Sequence, residues 1–175
     1  MNSIDVAVQS YLVSMRTQGA TEFMYFLTTV FDLSVRFILL ALCVSVLIYL
    51  IRGKRYAVLF LSALTVGGVI VYFMKSFFNV DRPADQVIGA FGQSFPSYHA
   101  TIVTIFFGMM MYIFHDKLKV YSRIIFNSLS IIIIAFVSLS RLYLGVHWLS
   151  DVTTGILMGF LICFVFIKIY DKSLR

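Results

Sequence analysis

Long apolar runs separated by short polar links dominate the chain, and the length of each run limits what it can be. From about 23 to 51 the only charged residues are Asp32 and Arg36, near the start. At about 1.5 Å per residue this run, as a helix, exceeds the roughly 30 Å hydrocarbon core of a bilayer. Asp32 and Arg36 stand four apart, so they are expected to pair on one helical face and mark where the helix enters the membrane. A basic turn, Arg52-Gly53-Lys54-Arg55, leads to a second run over about 56–74, and further runs cover about 99–114, 124–140 and 152–170. Ahead of them, Ile4, Val8, Leu12 and Met15 recur at three- and four-residue spacing with Gln9, Ser10 and Arg16 between, which predicts an interfacial helix within residues 1–20. Gly155 and Gly159 are four apart and predict a close helix contact. The pattern therefore predicts an all-α integral membrane protein: one domain over 1–175, about five transmembrane helices and an N-terminal interfacial helix.

Composition agrees, with 61% hydrophobic residues and a mean hydropathy of +0.95. The net charge of +6 comes from basic residues scattered between apolar runs and not from a stripe, so no nucleic-acid partner is expected. Cys43 and Cys163 lie inside apolar runs, where neither a disulfide framework nor a metal site is expected. The first twenty residues carry Asp5 and Arg16 without a basic start, apolar core and small-residue cleavage site, so no removable signal peptide is expected. His115, beside Asp116 and Lys117, reads as an ordinary interfacial histidine, and Trp148 as an interfacial anchor.

Five spans also fix which links share a side. The 75–98 connection and the 140–151 segment fall at one end, with Lys75, Arg82, Ser97, His99, Arg141, His147 and Asp151. The other end collects nine of the fourteen basic residues: Arg52, Lys54, Arg55, Lys117, Lys119, Arg123, Lys168, Lys172 and Arg175. The positive-inside bias makes that basic end cytoplasmic, so the reactive residues are expected to open outward at headgroup depth.

Residues 140–151 insert an arginine, a histidine and an aspartate between two apolar runs. His147 and Asp151 stand four apart, so on a helix the carboxylate can hold one imidazole nitrogen while the other points outward. Arg141 offers a permanently charged fork suited to a pair of phosphate oxygens. Lys75-(six residues)-Arg82-Pro83, then Pro96-Ser97-Tyr98-His99, then Ser140-Arg141-(five residues)-His147-(three residues)-Asp151 follow in that order. In that arrangement, over roughly residues 20–170, the chain resembles the type 2 phosphatidic acid phosphatase superfamily. One block departs from the family pattern, because the commoner form has glycine where this chain has Tyr98. A backbone N–H survives that change, but glycine's freedom of backbone angle does not.

The resemblance implies a role for each residue. His147 would be the nucleophile that forms a phosphohistidine, with Asp151 fixing its tautomer. His99 would be the general acid for the leaving oxygen. Lys75, Arg82 and Arg141 would clamp the phosphoryl oxygens, Ser97 would donate its hydroxyl, and Tyr98 would stand with them among the phosphate-binding residues. No oxygen-ligand cluster suggests magnesium or calcium, so a metal-free reaction without cofactor is expected.

The implied activity is hydrolysis of a phosphate monoester or diphosphate on a membrane lipid. The candidate substrates are phosphatidylglycerol phosphate, undecaprenyl diphosphate, phosphatidic acid and the phosphates of lipid A. The expected location is the bacterial inner membrane, with the site facing the periplasm or cell exterior. One rival is a lipid-to-lipid phosphotransferase using the same site. Another is a transporter, against which stands the gathering of charges at one end instead of along the spans.

Overall fold

The computed structural model describes residues 2–32, 34–90 and 92–172. In chain order its helices are α1 (Ser3–Ser14), α2 (Gln18–Thr29), α3 (Val35–Arg52), α4 (Lys54–Phe78), α5 (Tyr98–Ile113), α6 (Val120–Tyr143) and α7 (Leu149–Lys172). Four of them, α3, α4, α6 and α7, are long and apolar enough to cross a membrane. The fifth expected span, α5, has 16 residues, a rise of about 24 Å, and is the most enclosed of all. It packs on α4, α6 and α7, and most of its first nine residues are buried.

The helices run past the apolar stretches that announce them. The predicted 56–74 becomes Lys54–Phe78, 124–140 becomes Val120–Tyr143 and 152–170 becomes Leu149–Lys172. Backbone hydrogen bonding does not stop where side chains turn polar, so Lys75, Arg141 and Asp151 ride on rigid terminal turns.

The run from 23 to 51 is the main correction, because it is two elements instead of one span. Helix α2 ends at Thr29 and α3 starts at Val35. With 12 residues, α2 is too short to cross a bilayer, and it lies against α6. Asp32 sits in the link and not on a helical face shared with Arg36. Its carboxylate meets His99 Nε2 at 2.6 Å. A long-range partner for Asp32 and another for Thr28, which accepts from Arg141 Nη1 at 2.5 Å, accompany the break.

Helix α1 occupies the stretch expected to lie in the interface; of the expected apolar positions Ile4 is outward at 63% exposure, while Val8 and Leu12 are half-buried. Its inward face is polar: Asp5 and Gln9 are buried. Asp5 accepts from the backbone N–H and the hydroxyl of Ser150, at 2.8 and 2.9 Å. The helix thus clamps the start of α7.

Gly155 and Gly159 let α7 close onto α5. A Cβ on Gly159 would lie 2.6 Å from Thr104 Cβ and 2.9 Å from the Thr101 carbonyl oxygen, and one on Gly155 would lie 2.8 Å from the Ser97 carbonyl oxygen. Farther along the core, edge-to-face rings such as Phe60 and Phe106, 5.2 Å apart, fill the space between α4 and α5. At one end of the bundle Arg52 pairs with Asp116 at 2.8 Å and the Tyr112 hydroxyl donates to Asp171 at 2.5 Å. The two basic turns and the last turn of α7 therefore meet there, opposite the 75–98 connection.

Candidate active site

Four helix ends and two links converge at the other end of the bundle. The last turn of α4 supplies Lys75, whose Nζ donates to the carbonyls of Gln93 and Ser94 at 2.6 and 3.0 Å. These bonds tie the 75–98 connection to the helix end. Arg82, within the connection, donates to the carbonyls of Gly92 and Val146 at 3.0 and 2.6 Å and shares the Gln93 carbonyl with Lys75 at 3.1 Å. One guanidinium therefore staples both links together.

The 140–151 segment turns sharply through Gly145, whose φ of +71° favours glycine. A Cβ there would also stand 2.6 Å from Arg16 Nη2 and from the Asp85 carbonyl oxygen. Arg16 straps the turn from outside, donating to the carbonyls of Tyr143 and Asp85 at 2.9 and 2.7 Å. The Trp148 indole donates to the Asp81 carbonyl at 2.8 Å and so ties the turn to the 75–98 connection.

Lys75, Arg82, Tyr98, His99, Arg141 and His147 all border one pocket of 370 Å³. His147 lies in the link between α6 and α7 and is 2% exposed. Its Nδ1 stands 3.3 Å from Asp151 Oδ2, and its Nε2 is 3.4 Å from Arg82 Nη1. With Nδ1 protonated towards Asp151, Nε2 presents its lone pair to the pocket. Burial, then the charges of Arg141, Arg82 and Lys75, hold His147 well below the usual histidine range, which favours that neutral form.

Asp151 stands behind His147 and is 1% exposed. Its Oδ2 also accepts from the Trp148 N–H at 2.8 Å and from the Ser94 hydroxyl. Ser94 escaped sequence reasoning because a lone serine in a polar link carries no pattern.

Ser97 directly precedes Tyr98 and His99, which border the pocket. It caps the start of α5 fully buried, its N–H donates to the Asp151 carbonyl at 3.1 Å, and it is not among the residues bordering the pocket. Its hydroxyl has no partner among the described residues. Arg141 is held by Thr28 from behind, while its Nε is without a partner among the described residues.

Tyr98 borders a second cavity, an apolar groove of 460 Å³ between α3 and α4, and Gly68 borders both spaces too. The tyrosine ring thus forms a wall between a cationic pocket and a greasy channel. A third cavity, of 550 Å³, lies at the opposite end along α4 and α7, where Lys54 and Arg55 flank mostly apolar side chains. His115 is also at that end, beside Arg123 Nη1 at 3.2 Å.

Among the described residues, no three His, Cys, Asp or Glu side chains gather as a metal-ligand group. The donor set at the pocket is cationic, which suits an anion and not a cation.

The model of the PAP2 superfamily matches residues 56–175. YbjG of Escherichia coli (strain K12), provisionally named an undecaprenyl-diphosphatase, is 33% identical over 107 residues, covering 58% of this chain and 50% of that protein. The chain spans about half the length of that curated relative. A crystal structure titled as the first transmembrane PAP2 type phosphatidylglycerolphosphate phosphatase, from Bacillus subtilis, superposes with a TM-score of 0.87 at 24% identity, covering 99% of this chain and 87% of that one. LpxE of Aquifex aeolicus superposes at 0.77 with 19% identity, covering 95% and 96%. These two structures share the fold.

Proposed function

Because the chain belongs to the PAP2 superfamily, we propose that it hydrolyses a phosphate monoester or diphosphate from a membrane lipid headgroup, by way of a phosphohistidine on His147. The observation that carries this reading is the convergence of Lys75, Arg82, Arg141, His99 and His147 on one pocket, next to an apolar groove. Three cations suit the equatorial oxygens of a phosphoryl group in transfer. The adjoining groove suits a hydrocarbon tail, which a soluble phosphate lacks.

The placement of these residues supports the following steps. Nε2 of His147 attacks phosphorus, the bond to the leaving oxygen breaks, and that oxygen takes a proton from His99. Asp151 balances the charge that grows on the imidazole. A water molecule then gives its proton to His99 and attacks the phosphohistidine, releasing inorganic phosphate and restoring His147. Each pre-placed donor can contribute roughly 3 kcal/mol to the transition state. The clamp is made of protein cations, so no metal ion is required.

The names of the relatives support two of the expected substrates, undecaprenyl diphosphate and phosphatidylglycerol phosphate; phosphatidic acid and the phosphates of lipid A are the other two candidates. The separation of the pocket from the basic turns supports a site facing the periplasm or cell exterior of a bacterial inner membrane. The test is phosphate release by purified protein from each of these four lipids, with and without EDTA and with vanadate. Release from at least one lipid, unaffected by EDTA, inhibited by vanadate and abolished in His147→Ala, is expected. Activity that disappears with EDTA and returns with magnesium would refute the metal-free mechanism. Phosphate moving to an added acceptor lipid instead of to water would make the protein a transferase.

A further inference from the structure

The least expected contact at the pocket is the one between His99 and Asp32. Asp32 Oδ1 lies 2.6 Å from His99 Nε2, and Asp32 itself borders the pocket with His99 and His147. The contact links residues 67 positions apart, and it replaces the expected pairing of Asp32 with Arg36.

A general acid must hold a proton when the substrate arrives. Burial works against that at His99, whose side chain is 8% exposed. So does the company it keeps: Arg141 from α6 and Arg82 from the 75–98 connection act on it through their positive charges, and Lys75 borders the same pocket from α4. Tyr98 packs its ring edge-on at 6.0 Å and supplies no charge. Among these neighbours, Asp32 is the negative group. Its carboxyl is held below the usual carboxylate range, first by the hydrogen bond to His99 and further by the charges of Arg141 and Arg36. It therefore stays ionised at neutral pH and below.

We propose that Asp32 is the positioning residue of the general acid, orienting the His99 ring and favouring its charged form, so that the site holds two aspartate–histidine pairs. The inference rests on the lipid phosphatase reading above. An imidazolium carries an N–H on each ring nitrogen. Asp32 accepts from Nε2, which leaves the Nδ1 proton for the leaving oxygen. After that transfer His99 is neutral, still bonded to Asp32, with an Nδ1 lone pair for the incoming water. Asp151 and Asp32 thus perform opposite services. The first supports a histidine that must start neutral, the second one that must start charged.

The experiment compares Asp32→Asn and Asp32→Glu with wild type in purified full-length protein. Substrates are a lipid phosphate with an alkoxide or phosphate leaving group, and 4-nitrophenyl phosphate, whose leaving group needs little protonation. Asp32→Asn is expected to lose about 100-fold or more on the lipid but less than about 10-fold on the aryl phosphate. The alkaline limb of kcat/KM on the lipid should shift to lower pH, and Asp32→Glu should recover part of the loss. Equal losses on both substrates with an unmoved alkaline limb, or a gain in activity, would overturn the proposal.

A second readout does not need turnover. With three histidines in the chain, His99 can be assigned in ¹⁵N-histidine spectra by its absence from His99→Ala. Its titration midpoint should fall in Asp32→Asn, and a midpoint that stays put would refute the role of Asp32. A wild type inert on every lipid would overturn the functional reading instead, while this titration still decides the Asp32 pairing.

Discussion

Ser94→Ala tests the support behind His147 at a position that belongs to none of the sequence motifs. Asp151 is almost fully buried, and its Oδ2 gathers three donors: the Ser94 hydroxyl, the Trp148 N–H and His147 Nδ1. Its Oδ1 has no partner among the described residues, so the anion relies on one oxygen. Losing a hydrogen bond to a charged group typically costs about 1.5–3 kcal/mol. At 1.36 kcal/mol per tenfold, that corresponds to roughly 10- to 150-fold in rate if the whole loss falls on the transition state. Part of it will not, because an Oδ2 relieved of Ser94 can bond His147 more strongly. The lower end is therefore expected, about 10-fold in kcat/KM for phosphate release from the lipid. Asp151→Asn should cost far more, on the order of 10,000-fold by comparison with tautomer defects in triad enzymes. Phosphate release and thermal unfolding, measured together in the same detergent, separate a catalytic loss from an unfolded variant. Wild-type activity in folded Ser94→Ala, or a loss equal to that of Asp151→Asn, would refute this account of the network.

Because His147 is held well below the usual histidine range, protonation should silence it only in acid. The acid limb of kcat/KM is expected below pH 6.5, with activity falling as pH drops through the lowered value, and a limb at or above 6.5 would contradict this. Tyr98→Gly, which removes the wall between pocket and groove, should change the kcat/KM ratio of a long-chain over a short-chain lipid phosphate by roughly 10-fold or more; an unchanged ratio would mean that the ring does not shape selection. Gly159→Leu drives a side chain into Thr104 and the Thr101 carbonyl, so a destabilisation of about 1–3 kcal/mol or more is expected by thermal or denaturant unfolding. Cysteines at Gln86 and Lys119 should differ in labelling by an impermeant reagent on whole cells, with Gln86→Cys reacting and Lys119→Cys protected; the reverse would place the pocket in the cytoplasm.

The membrane fold and most of the pocket could be read from the sequence because both are written in local chemistry. Apolar runs must be helices in lipid, where every backbone polar group needs an internal partner, and their lengths set the number of ends. Counting ends then brings Lys75, Arg82, His99, Arg141 and His147 to one side without knowledge of packing. Spacing of four residues does the same for Gly155 with Gly159 on α7, whereas His147 meets Asp151 from the link before that helix. What tertiary structure alone decided is where polar groups found partners far along the chain. An aspartate and an arginine four apart predict a local pair, but Asp32 lies in a break between α2 and α3 and meets His99 instead. Ser94 reaches Asp151, Thr28 backs Arg141, and Asp5 of α1 holds Ser150 across 145 positions. Periodicity reports which face of an element is apolar. Only the packed bundle brings those faces together, and a buried polar atom takes the nearest partner that packing provides.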